Sequence, residues 1–316
     1  MPTLTSNGID ISYQASGDPK GLPLLLVMGL GMQLVAWPDE LVDGLAELGF
    51  HVIRFDNRDS GLSTKFDAAG IPSVPLAIIK SFLRLPVKPV YTLDDMAADA
   101  LGVLDALGVA RAHVVGASMG GMIAQTLAAR HPGRVLSLTS IMSSSGRRGL
   151  PGPSKAARKA LMRRTAGARD HEGRVEDMGE NMSENMFQIM RAIGSPAYPT
   201  PPAVLRARIA RAMGRNVCAG GVARQMHAII AHGDRSALLA AIRAPTLVIH
   251  GAADPLVPPA CGVDTADKVP GARLVLIEGM GHDLPAQLIE RLLALIDAHA
   301  HGNMSPDSTL RLFEKQ

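Results

Sequence analysis

At 316 residues the chain has room for one large domain or two small ones. Hydrophobic residues make up 47% and charged residues 19%, which excludes a disordered chain; an aromatic share of 3% argues against a single-stranded nucleic-acid binder that works by stacking. Lys and Arg number 32 against 29 Asp and Glu, and a net charge of +3 does not require a polyanionic partner.

Ile9–Tyr13 alternates apolar and polar residues, as an edge strand does. Leu24–Val27 is a continuous apolar run that ends at Met28-Gly29-Leu30-Gly31. Pro38–Leu48 then reads as a helix, and His51–Phe55 as a strand closing on Asp56-Asn57-Arg58-Asp59-Ser60-Gly61. Helix Leu93–Leu107, strand His113–Val115, helix Met119–Arg130 and strand Val135–Ile141 follow. Further on come strand Thr246–Ile249, helix Pro258–Lys268, strand Leu274–Ile277 and helix Pro285–His299. Short apolar strands of this kind are buried on both faces of a parallel sheet. Their alternation with helices predicts a doubly wound, mostly parallel α/β sheet with right-handed crossovers.

From about Ser144 to Ile242 the alternation stops. Pro153–Arg164, Val175–Ile193, Pro202–Arg215 and Val222–His232 all read as helices. The expected organisation is a core made of residues 1–143 and 243–300, a helical cap at 144–242 inserted between two strands, and a polar, frayed tail at 301–316. Between Arg147 and Arg215 stand 14 basic and 6 acidic residues, a net +8, so the rest of the chain carries −5. A solvated helix surface is the plain explanation of that surplus; attraction of an anion is the alternative. The chain contains no internal repeat.

Two cysteines, Cys218 and Cys261, make neither a disulfide framework nor a zinc site of ordinary ligand count, so a reducing, cytoplasmic setting is expected. Met1 to Asp10 lacks the basic-then-apolar pattern of a signal peptide. The longest uncharged stretch, Gly21 to Trp37, is too short for a membrane span and is broken by Pro23, Gly29 and Gly31. Membrane insertion is therefore not expected.

Gly116-Ala117-Ser118-Met119-Gly120 is a G-x-S-x-G pentapeptide between an apolar strand and an amphipathic helix, the setting of a nucleophile elbow. Small residues at Gly116, Gly120 and Gly121 let strand and helix pass closely. Ser118 then stands at the carboxyl end of the sheet, in front of a helix N-terminus. A serine hydroxyl needs a base. The order serine, acid, histidine suits this fold and selects Asp254, just past Thr246–Ile249, and His282, just past Leu274–Ile277. Asp283 and Asp264 are the rivals for the acid. His250, inside a strand end, reads as structural. Two N–H donors should hold the oxyanion, one from Met119 and one from Leu30.

Together these pieces resemble the α/β-hydrolase family from about Ile9 to Ala300. The resemblance rests on the elbow at 116–121, Gly-Ala-Ala-Asp-Pro at 251–255, Gly-Met-Gly-His at 279–282 and Asp-Asn-Arg-Asp-Ser-Gly-Leu-Ser at 56–63. Leu-Leu-Leu-Val-Met-Gly at 24–29, Ala-Trp-Pro-Asp-Glu at 36–40 and His-Val-Ile-Arg-Phe-Asp-Asn-Arg-Asp at 51–59 are similar to the aclacinomycin methylesterase group. The resemblance implies a Ser-His-Asp carboxylic-ester hydrolase that needs no cofactor and no metal. Many members carry His-Gly after the third strand, where this chain has Met28-Gly29. A serine at the elbow excludes the epoxide-hydrolase and dehalogenase branches, which use aspartate there.

Met178, Met182, Met186 and Met190 recur every four residues and form one stripe on a helix. They are candidates, with Phe187 and the loop Pro196–Pro202, for lining a hydrophobic pocket; packing within the cap is the competing explanation. His227 reads as a satisfied buried histidine. The expected partner is a small-molecule ester, with a homodimer as an alternative to a monomer and no nucleic acid. The same triad would also serve a lactone, an amide, a carbon–carbon bond or perhydrolysis. A non-catalytic ligand-binding relative is the reading from another class, and a broken triad or a blocked oxyanion loop would mark it.

Overall fold

The structure, a computed structural model, describes residues 1–166 and 175–304, with the backbone alone described at 162–166, 175–180 and 219. Strands β1 (Thr3–Ser6), β2 (Ile9–Ser16) and β3 (Leu22–Val27) lead to helix α1 (Asp39–Glu47) and strand β4 (Phe50–Phe55). Helices α2 (Val74–Phe82) and α3 (Leu93–Ala106) precede strand β5 (Ala112–Ala117), helix α4 (Met119–Arg130) and strand β6 (Val135–Ile141). Five helices follow: α5 (Lys155–Ala166), α6 (Val175–Ile193), α7 (Pro202–Arg215), α8 (Ala219–His232) and the short α9 (Ser236–Leu239). Strand β7 (Thr246–Gly251), helix α10 (Pro259–Lys268), strand β8 (Arg273–Ile277) and helix α11 (Ile289–Ala300) complete the order.

The sheet has eight strands in the order β1-β2-β4-β3-β5-β6-β7-β8, and every pairing from β4 to β8 is parallel. β1 and β2 pair antiparallel at one end. β1 is an addition to the strands expected from sequence, and it covers β2, so Ile9–Tyr13 is second from the edge. Helix α2 is another addition. Ser73 caps it by accepting the Leu76 N–H at 3.4 Å, and Pro75 occupies its first turn, where a missing N–H costs nothing.

Both faces of the sheet are buried. Leu25 and Val27 pack with α3 and α4 through Met96, Ala100, Ile123 and Leu127. Leu24 and Leu26 point the other way, toward Leu41 and Leu45 of α1 and Leu292 and Ile296 of α11. That two-sided burial explains the uninterrupted apolar runs. No helix among the described residues is long and apolar enough to cross a membrane.

Four arginines of the cap reach acids outside it. Arg147 pairs with Asp264 at 2.5 Å, Arg211 with Asp39 at 2.5 Å, Arg215 with Asp56 at 2.9 Å and Arg224 with Asp59 at 2.7 Å. All four acids belong to elements outside α5–α9. Of these contacts, those of Arg215 and Arg224 are largely buried, while Arg147 and Arg211 are about half exposed. Beyond α11, Met304 is buried and its carbonyl accepts from Arg273 at 2.6 Å; residues 305–316 lie outside the described residues.

Candidate active site

Ser118 links β5 to α4 with φ 56° and ψ −119°, backbone angles outside the helical and extended regions. Its carbonyl accepts from the Gly121 N–H at 2.9 Å, the Met122 N–H at 3.2 Å and the Ser143 hydroxyl at 2.8 Å, and its own N–H donates to Ile141 O at 2.9 Å. The surroundings therefore over-determine the strained turn. Glycine is required here by close approach. A Cβ at Gly116 would lie 2.2 Å from Gly120 O, and one at Gly120 would lie 2.0 Å from Val27 O. The turn holds Ser118 Oγ at the carboxyl end of β5, in front of the positive end of the α4 dipole.

His282 follows β8 and Asp254 follows β7, so both arrive at the same sheet edge. His282 Nε2 lies 3.0 Å from Ser118 Oγ, and His282 Nδ1 lies 2.7 Å from Asp254 Oδ2. A carboxylate only accepts, so the proton belongs on Nδ1 and Nε2 is left as the base. Asp254 Oδ1 accepts the N–H groups of Leu256 and Val257, both at 2.9 Å. Both carboxylate oxygens are thus engaged, and the side chain is fully buried. Of the three residues expected from sequence to work together, His282 is within hydrogen-bond reach of both Ser118 and Asp254.

The rivals for the acid stand elsewhere. Asp264 is bound to Arg147 and to the Ser145 hydroxyl. Asp283 accepts from the Ser195 N–H at 3.0 Å and from the Ser195 hydroxyl at 2.5 Å, and burial pushes its carboxyl above the ordinary aspartate range. Ser195 Oγ in turn accepts the Gly281 N–H at 2.9 Å, and the His282 N–H donates to Ile193 O at 2.7 Å. The end of α6 therefore clamps the histidine loop from above. His250, wholly buried, bonds Val257 O through Nε2 at 2.8 Å and sits 3.6 Å from Asp254 Oδ2. Desolvation holds its imidazole below the usual histidine range, so it is a neutral neighbour of the acid. His227 is half-buried and bonds Ser73 O at 3.1 Å.

The loop after β3 runs directly past the serine. A Cβ at Gly29 would come within 3.7 Å of Ser118 Oγ. Asn57 Nδ2 donates to Met28 O at 2.8 Å, and the Gly31 N–H donates to Gln225 Oε1 at 2.7 Å. Leu30, between those anchors, is half-buried, and Met119 is buried on the far side of Ser118. Sequence reasoning named Leu30 and Met119 but missed Asn57 and Gln225. Asn57 lay inside a motif already singled out. Gln225, 194 residues from Gly31, had no local signal.

On α6 the methionine stripe divides. Met178 lies outside the described side chains. Met182 reaches solvent, and Met186 is half-buried. Met190 packs with Ala157, Ile189 and Ile193, joined by Leu256 two residues past Asp254. Phe187 is buried with the Arg206 guanidinium 3.9 Å from its ring centre. Phe187 thus packs against a cap residue, whereas the cluster of Met190 extends to the loop that carries Asp254. Asp59, Asp67 and Cys218 lie close enough for a metal site among the described residues, but Arg224 bonds both carboxylates and supplies the positive charge itself.

Residues 23–168 match the model of the alpha/beta hydrolase fold. Rhodomycin D methylesterase DauP of Streptomyces sp. strain C5 is 34% identical, with 96% of this chain and 99% of that protein aligned. Rhodomycin D methylesterase DnrP of Streptomyces peucetius is 33% identical over the same shares. Among solved structures, the enol-lactonase from Burkholderia xenovorans LB400 superposes with a TM-score of 0.68 at 25% identity, covering 94% of this chain and 97% of its own. A sheet of this order, a strained serine turn at its carboxyl edge and near-complete alignment to these relatives agree: the chain belongs to the α/β-hydrolase family.

Proposed function

We propose that the protein hydrolyses a carboxylic ester with a hydrophobic acid part, through an acyl-Ser118 intermediate. The carrying observation is the relay from Ser118 Oγ to His282 Nε2 at 3.0 Å and from His282 Nδ1 to Asp254 Oδ2 at 2.7 Å. His282 takes the Ser118 proton as Oγ attacks the ester carbonyl. The N–H groups of Leu30 and Met119 hold the resulting oxyanion. Asp254 stabilises the imidazolium, which then protonates the departing alcohol. Water, deprotonated by His282, attacks the acyl-serine and releases the acid, restoring the hydroxyl. No metal or cofactor is needed for any of these steps.

Similarity to two methylesterases supports a methyl ester, with methanol leaving and the larger part remaining on Ser118. A lactone is an internal ester and would react by the same steps; similarity to an enol-lactonase keeps it in the substrate panel. The two relay distances weigh against a non-catalytic relative. Two free cysteines support a cytoplasmic setting.

The test is Ser118→Ala. The wild type should turn over p-nitrophenyl esters and react covalently with a fluorophosphonate probe. The variant should fold normally and do neither. A folded variant with near-full turnover would end this reading.

A further inference from the structure

The segment from Ile71 to Val90 presents an apolar face that the described residues of the site and the cap leave uncovered. Ile71, Leu76, Ile79, Phe82, Leu83 and Leu85 are between 51% and 84% exposed, with Phe82 the extreme. On α2 the inner side is narrow. Ala77 is buried, with Val74 and Ser81 half-buried, where the helix meets α8. Large apolar side chains this exposed, and this close together, mark an interaction surface.

Charge narrows the choice of partner. No carboxylate occurs between Asp67 and Asp94, while Lys80, Arg84 and Lys88 lie within that stretch. Arg148 adds a further cation, donating through Nη2 to Ser81 O at 3.2 Å. Two copies meeting about a two-fold axis through this stretch would bring Lys80, Arg84 and Lys88 toward their own copies, and the stretch itself has no acid to offset them. A layer of acyl chains under anionic headgroups complements both the apolar residues and the cations.

We propose that α2 and its flanks bind the surface of a membrane containing anionic phospholipid. The helix lies in the headgroup layer, with Phe82, Leu76 and Ile79 toward the acyl chains and Arg84 and Lys88 at the phosphates. This is contact with one leaflet and not a membrane span. It does not depend on the ester-hydrolase reading.

The full chain is sedimented with vesicles of phosphatidylcholine alone and of equal parts phosphatidylcholine and phosphatidylglycerol. Binding to the mixed vesicles, released by high salt, is expected. Arg84→Gln with Lys88→Gln should weaken that binding about thirtyfold. Phe82→Asp should abolish it. Circular dichroism and thermal unfolding establish that these variants fold. Ser118→Ala should bind as the wild type does, which separates this result from the fate of the proposed catalysis. Absence of wild-type binding to mixed vesicles at low salt, equal binding to phosphatidylcholine alone, or undiminished binding by both folded variants would overturn the proposal. So would a wild-type dimer in light scattering that Phe82→Asp disperses while vesicles stay unbound.

Discussion

Arg224 and Asp59 form a bidentate ion pair, Nε to Oδ2 at 2.7 Å and Nη2 to Oδ1 at 2.8 Å, with side chains 1% and 0% exposed. Arg224 belongs to the inserted helices and Asp59 to the loop after β4. The next residue, Gln225, holds Gly31. One turn of α8 thus fixes both the loop after β4 and the loop that runs past Ser118.

Removing one partner of a buried pair leaves the other charge unsolvated. Burial by itself would push the Asp59 carboxyl up, but Arg224, the Phe66 N–H and the Tyr91 hydroxyl together hold it below its ordinary value. Arg224→Ala should therefore lower stability by about 3–5 kcal/mol in urea unfolding. Arg224→Met combined with Asp59→Asn should lose less than that single change. Equal losses would mean that the pair contributes packing rather than charge compensation.

Acid should weaken the fold before most carboxylates titrate. Burial, then the neighbouring His299 and His301, hold His113 down at about 4. Its ordinary value is about 6.5, so the unfolded chain takes up the proton first. The neutral buried form contributes stability that is complete above about pH 6.5 and is lost as pH falls toward 4. Urea midpoints across that window should decline in the wild type and decline less steeply in His113→Gln. Parallel curves would assign the acid sensitivity to other groups, such as the similarly buried His299.

The sheet and the relay were legible in sequence because their determinants are local. Each of β3 to β8 is a short apolar run ended by a loop, and Ser118, His282 and Asp254 each sit at the first turn after such a run. The segment around α2 hid its helix behind Pro72, Pro75, Pro86 and Pro89, although Pro75 falls where a first helical turn tolerates it. Edge strand β1 is four residues long and reads as a terminus. The docking of α7 and α8 was illegible for another reason. Arg215, Arg224 and Gln225 meet Asp56, Asp59 and Gly31 across more than 150 residues of chain, and no periodicity encodes such a pairing. A basic surplus was visible, but only the folded partners show which of its arginines, Arg147, Arg211 and Arg215, dock on acids outside the cap.

Asp254→Asn isolates the acid's role in the proposed relay. An amide can present its NH₂ group to Nδ1 and favour the wrong imidazole tautomer. Turnover of a p-nitrophenyl ester should fall about 10⁴-fold, with reaction at the fluorophosphonate slowed in parallel. Ser118→Ala combined with His282→Ala should be no slower than Ser118→Ala alone, because residues acting as a unit lose their effect together. Multiplying losses in that pair would show that the two side chains act separately.

Gln225 tests whether the inserted helices position the proposed oxyanion donor. Its carbonyl accepts from Gly31, and its NH₂ group donates to Arg58 O at 2.8 Å and Ser60 Oγ at 3.0 Å. Gln225→Met keeps the volume and removes all three bonds. About 1–3 kcal/mol of stability should be lost for each buried group left unpaired. If the bond to Gly31 orients the Leu30 N–H, kcat should also fall, by less than the 10²–10³ that loss of a whole donor costs, while KM changes little. A stability loss with unchanged kcat would reduce Gln225 to a packing residue.

Two glycines beside the serine should respond to alanine in opposite ways. At Gly120 the added methyl would meet backbone, 2.0 Å from Val27 O and 2.8 Å from Met28 O, and neither strand nor helix can withdraw without breaking the β5–α4 turn. Gly120→Ala should fail to accumulate as folded protein. At Gly29 the nearest atoms, Ala117 O and Ser118 Cβ, stand at 3.2 Å, a contact relieved by a shift of a few tenths of an ångström. Gly29→Ala should therefore fold, with thermal unfolding close to the wild type. That small shift would move the Leu30 N–H and crowd the approach to Ser118 Oγ, so kcat/KM should fall at least tenfold. A folded and fully active Gly29→Ala would place the oxyanion donor somewhere other than this loop.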